Sequence, residues 1–189
     1  MRTFFSRILD NRKMIFLSIS IILFVSFIFG FIWYPHTNDM FKDLLEHVFY
    51  LNDSNYQNQY ILYLIENGLF IILSTYLSTS FIGYFGSLWL VFVKGIQLSY
   101  SLVFVFKTLE SSFILVVFIF VQILLELIFI YVVSYMSINF SIYNLLITFY
   151  IKENFEYKLI LNYILNFLIV SLVILSVLLM FRIYVVPVI

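Results

Sequence analysis

The chain has 189 residues, of which 64% are hydrophobic, 22% aromatic and only 11% charged, with ten Lys and Arg balanced by ten Asp and Glu. So apolar a composition cannot cover a water-facing surface, and it places the chain among polytopic membrane proteins, with the lipid bilayer as its first partner. Zero formal charge argues against a basic surface for nucleic acid, and the lack of cysteine excludes disulfides, thiolate catalysis and thiolate metal sites.

Met14 to Tyr34 carries no charge and ends in Trp33 and Tyr34 before Pro35, as a first span does at a membrane interface. It is too long for a signal-peptide core and no small-residue cleavage site follows, so it reads as a retained span. Arg2, Arg7, Arg12 and Lys13 precede it, whereas the segment 35–66 holds Lys42 against Asp39, Asp43, Glu46, Asp53 and Glu66. Loops rich in Lys and Arg stay in the cytoplasm, so the N-terminus is expected inside and the segment 35–66 outside.

Within that outer segment, Asn38 is placed to cap a helix with Met40, Phe41, Leu44, Leu45, Val48 and Phe49 on one face and Asp39, Lys42, Asp43, Glu46 and His47 on the other. Such a stripe lies on lipid or in a partner's groove, which makes Asp39, Asp43, Glu46, Phe41, Leu45 and Phe49 candidate docking residues.

Further spans are expected near 67–93, 96–106, 112–138 and 159–181, giving an all-α transmembrane bundle of about five spans in one integral membrane domain. Between Lys94 and Lys107 the third is short, and reads either as a short span with snorkelling lysines or as a re-entrant hairpin with the fourth. In the inner segment 139–158, Ile142, Leu145, Leu146 and Phe149 form a weaker amphipathic stripe.

Reaction chemistry is hard to place. His36 and His47 lack metalloprotease spacing, the aspartates fall outside the spans, and there is no phosphate-binding glycine loop or serine elbow. No catalytic, cofactor or metal site is expected. What stands out is polarity at membrane depth: Gln122 and Glu126, four residues apart and so on one helix face; Lys94 beside Gly95; and Asn162 with Asn166 on one face of the last span. Groups of this kind serve either as interhelical glue or as an ion or solute pathway. A homo-oligomer is left open.

Taken in order, the basic N-terminus, "IFGFIWYP", "MFKDLLEHVFYLND", "FIGYFGSLWLVFVKGIQLSYSLVFVF", "VQILLELIF" and "NFS" resemble the stage II sporulation protein M family. Lys94 and Gly95 match that family's Lys-Gly or Asn-Gly dipeptide. Glu126 matches the glutamate of its Pro-His-Gly-x-x-Glu-x-Pro-Ala pattern, with Gln122 at the histidine position and Val121, Ile123, Ile128 and Phe129 in place of proline, glycine, proline and alanine. The resemblance implies a non-enzymatic scaffold that anchors cell-wall hydrolases, the stage II sporulation proteins D and P, at the septal membrane during engulfment. A small permease or channel component using the buried polar residues is the rival expectation.

Overall fold

In hydrocarbon every backbone N–H and C=O must be satisfied within the chain, so long runs of Leu, Ile, Val and Phe fold as helices. A computed structural model describes residues 12–37, 56–80, 82–108, 113–148 and 157–184. All regular structure among them is helical: α1 (Arg12–Trp33) with a 3-10 turn at Tyr34–His36, α2 (Tyr56–Ser78), α3 (Gly83–Thr108), α4 (Phe113–Thr148) and α5 (Tyr157–Tyr184). Four stretches are long and apolar enough to cross a membrane: Arg12–His36, Gly83–Val103, Phe120–Leu145 and Ile160–Ile183. The protein is therefore a multi-pass membrane protein. The apolar part of α2, Tyr63–Ser78, is shorter, because polar residues occupy the beginning of the helix.

Two boundaries differ from the sequence expectation. The run 67–93 is broken at residues 79–82, and Ile96–Phe106 belongs to α3, continuous with Gly83–Gly95. Lys94 is thus a mid-helix residue, and neither a separate short span nor a re-entrant hairpin is formed. The turn is built from backbone bonds: Ser80 N–H donates to the Leu77 carbonyl at 3.0 Å, and Gly83 N–H to the Ser80 carbonyl at 3.1 Å. Gly83 is required there, since a Cβ would fall 1.7 Å from the Leu77 carbonyl oxygen, which the backbone cannot move aside.

The second difference is that residues 139–148 extend α4 instead of forming a separate inner helix, and Ile142 is buried in the core. No glycine or proline interrupts Phe113–Thr148, so nothing ends the helix earlier. Its extension has a task. α4 adds side-chain donors to carbonyls at the end of α2 and in the turn that follows: Ser137 Oγ donates to the Ser74 carbonyl at 2.8 Å, Ser141 Oγ to that of Ser80 at 2.9 Å, and Asn144 Nδ2 to that of Ser78, left without an intrahelical donor at the helix end, at 2.9 Å. Ser87 of α3 is 2.7 Å from Ser137 Oγ and, with the Ser137 proton already committed, is the donor.

Helix α4 packs against all the other helices. The most extensive contact, however, is between α1 and α3, which run parallel: Ser18 meets Tyr84, Ser26 meets Gly95, and Gly30 meets Ser99. Small residues four apart on both helices, Ser26 with Gly30 and Gly95 with Ser99, let the backbones approach closely, the main source of attraction between helices in lipid. A Cβ on Gly95 would lie 1.8 Å from Ser26 Oγ and 2.9 Å from Ser26 Cβ, and Ser99 Oγ donates to the Phe27 carbonyl at 2.9 Å.

Gly95→Ala should therefore destabilise the bundle by about 1–3 kcal/mol by overpacking. Gly68, in the interior of α2, has nothing within 4 Å of its would-be Cβ, so Gly68→Ala should be neutral or stabilise by up to about 1 kcal/mol. Unfolding midpoints of the two variants in one detergent check the contrast, and a Gly95→Ala protein as stable as the parent would contradict the α1–α3 packing.

Candidate functional site

The polar residues of the interior gather at one place. A cavity of about 60 Å³ is lined by Tyr63, Glu66 and Asn67 of α2, Lys94, Gln97 and Ser101 of α3, Glu126 of α4 and Arg182 of α5, with Leu98, Phe129 and Ile130 as its apolar wall. Four helices thus contribute to it, and its two acids balance its two bases.

The side chains form two linked groups. In the first, Glu126 Oε1 accepts from the Tyr63 hydroxyl at 2.9 Å and from Gln122 Nε2 at 3.2 Å. The Arg182 guanidinium lies over the Tyr63 ring, 4.3 Å from its centre, a favourable position for a cation on an aromatic face. In the second, Lys94 forms an ion pair with Glu66 and donates to Asn67 Oδ1 at 3.2 Å, while its ammonium stands 5.7 Å from the centre of the Phe70 ring. Asn67 joins the groups, since its Nδ2 donates to the Tyr63 carbonyl at 3.0 Å.

Helix periodicity places each of these groups. On α2, Tyr63, Asn67, Phe70, Ser74 and Ser78 recur at intervals of three and four and form the buried face. On α4, Gln122 and Glu126 share the face that continues through Phe129, Ile130 and Val133, all buried. Lys94 keeps 12% of its side-chain surface exposed and Glu66 36%, so the pair sits at the lip of the cavity.

Of the expected site residues, Gln122, Glu126 and Lys94 come together here. Gly95 faces the other way, against α1, where it serves close packing. Asn162 and Asn166 depart from expectation: both are exposed on the outside of the bundle. The inward face of α5 is Tyr163, Phe167, Ser171, Leu175, Leu178 and Arg182, and a residue one step away on a helix is turned by about 100°. The docking candidates Asp39, Phe41, Asp43, Leu45, Glu46 and Phe49 lie outside the described residues, as do residues 109–112.

Sequence reasoning missed Tyr63, Glu66, Asn67 and Arg182 as members of the site. A signal was there. The stripe from Phe70 to Ser78 extends backwards through Asn67 to Tyr63 at the same spacing, which carries α2 past the point where the apolar run begins and takes Glu66 into the bundle.

Chemically, the site offers charge and hydrogen bonds: carboxylate oxygens and amides that can hold water or pass a proton. Among the described residues no three His, Cys, Asp or Glu gather to hold a metal ion. Comparisons with family models, with curated proteins and with solved structures return no match to this chain.

The geometry separates two substitutions of Glu126. Glu126→Gln keeps an acceptor for the Tyr63 hydroxyl, whereas Glu126→Leu strands both that hydroxyl and the Gln122 amide, at a cost of about 1–3 kcal/mol each. The leucine variant should unfold at a clearly lower temperature than the glutamine variant in matched detergent. Equal midpoints would mean that the contacts of Glu126 do not hold the bundle.

Proposed function

We propose that the protein is a non-catalytic scaffold of the cell membrane, with its N-terminus in the cytoplasm, that holds cell-wall hydrolases at its outer face in the manner implied by its resemblance to the stage II sporulation protein M family. The observation that carries this reading is that the interior charges already have partners within the bundle. Glu66 and Lys94 pair, Glu126 is bonded to Tyr63 and Gln122, and the space left among them is about 60 Å³. That is a small space, enough for a few waters. Such an interior supports a rigid body more than a carrier. The ends of the segment 38–55 are anchored by Thr37 and Tyr56, at the end of the bundle away from Arg12, which suits that segment to reach a partner outside.

Hydrolases of the kind meant are those resembling the stage II sporulation proteins D and P. The candidate docking residues offer them an apolar stripe, Phe41, Leu45 and Phe49, edged by Asp39, Asp43 and Glu46. A charge-complementary partner depends on those acids, while docking of the stripe on lipid does not.

Two measurements test the reading. On the cysteine-free chain, Ser54→Cys should react with an impermeant maleimide in intact cells and Ser6→Cys should not; the reverse pattern overturns the orientation. The double variant Asp43→Lys with Glu46→Lys should insert normally yet lose septal hydrolase, and normal retention would count against this segment as the docking site.

A second reading is favoured by one observation, the meeting of four charged side chains around a small cavity: a small permease or channel component that moves protons or ions. It predicts flux in liposomes holding the purified protein, abolished by Glu126→Gln in a normally folded variant. The scaffold reading predicts no flux above empty liposomes.

A further inference from the structure

Outside the bundle, α1 and α4 border an open groove of about 710 Å³. Its walls are almost wholly apolar, formed by Leu17, Ile21 and Phe24 of α1 and Tyr135 of α4, and at one end stand Arg12 and Lys13. Both cations are exposed, and neither makes an ion pair among the described residues. From Lys13 to Phe24 the groove follows α1 for eleven residues, which at about 1.5 Å each is roughly 17 Å, the depth of one leaflet's hydrocarbon.

We propose that this groove is a binding site for an anionic phospholipid of the leaflet on the Arg12 side, with the acyl chains along Leu17, Ile21 and Phe24 and the phosphate between Arg12 and Lys13. The assignment goes beyond the scaffold reading and does not depend on it. Several features argue for one occupant. The groove is as long as an acyl chain and open to the bilayer. Its charge is confined to the end where a headgroup would lie. Two cations without an ion pair among the described residues complement an anionic headgroup, and would hold a zwitterionic one less well, because its own ammonium offsets the phosphate.

The test uses the full chain, purified in detergent and equilibrated with equal amounts of phosphatidylglycerol and phosphatidylcholine bearing the same acyl chains, with bound lipid read by native mass spectrometry. The parent should retain phosphatidylglycerol over phosphatidylcholine by roughly tenfold, the effect of two cations near an anionic headgroup. Inorganic phosphate at millimolar concentration should not displace it, since the acyl chains contribute to binding. Arg12→Gln with Lys13→Gln should bring the ratio close to one. Leu17→Trp leaves the cations in place but fills the groove, and should lower the amount of phosphatidylglycerol retained. Leu17 and both cations are exposed, so the variants are expected to fold, and unchanged unfolding midpoints confirm it. Equal retention of the two lipids by the parent overturns the proposal without reference to any variant. So does displacement by phosphate, or a Leu17→Trp protein that binds as the parent does, which would reduce the effect to charge attraction without a groove.

Discussion

A lysine ammonium at membrane depth must keep its water or find an acid, and the pairing of Lys94 with Glu66 is the contact on which the arrangement of the bundle depends. A charge at the centre of a span costs about 2.5–3.5 kcal/mol on insertion scales. Lys94 lies near the middle of α3, within the span Gly83–Val103, so α2 must stand beside α3 in the register that presents Glu66. That register in turn brings Asn67 to the ammonium and Tyr63 to Glu126. Pairing of this kind adds little net stability, because both ions lose hydration, but it excludes registers in which one ion is left alone.

Helix α4 carries polar groups at two levels on its buried side. At one level Gln122 and Glu126 meet α2 and, across Tyr63, the guanidinium of α5. At the other, Ser137, Ser141 and Asn144 supply donors to the carbonyls where α2 turns into α3. Between them lie Phe129, Ile130 and Val133, all buried. The hairpin of α2 and α3 is thereby held at both ends by one helix. α1 joins differently, through the small residues Ser26, Gly30, Gly95 and Ser99, where close backbone contact is joined by the bond from Ser99 Oγ to the Phe27 carbonyl.

Much of this was legible in the sequence. The first span, the all-helical class and the shared face of Gln122 and Glu126 follow from apolar length and helical phase. The turn at 79–82 did not, because Ser78, Thr79 and Ser80 sit in an apolar run and serines are common within membrane helices. Besides its own backbone bonds, the turn takes donors from Ser141 and Asn144, more than sixty residues away, and a single sequence carries no trace of that pairing. The opposite failure befell 139–148, where the stripe of Ile142, Leu145 and Leu146 looked like an interfacial helix, whereas the residues extend α4 and bring Ser141 and Asn144 to the turn. Asn162 and Asn166 show the limit of composition: polarity in a span suggested burial, but phase relative to Tyr163, Phe167 and Ser171 points them outward.

The central claim is that Lys94 and Glu66 are held together inside the membrane and set the register of α2 on α3. Exchanging the charges tests it. Glu66→Lys alone places two cations together and Lys94→Glu alone two anions, and each should lower the unfolding midpoint in lipid nanodiscs. Combining them restores an opposite pair and should recover most of the loss, a coupling of about 1–3 kcal/mol. A double variant no more stable than the sum of the two single losses would contradict the pairing and the register built on it.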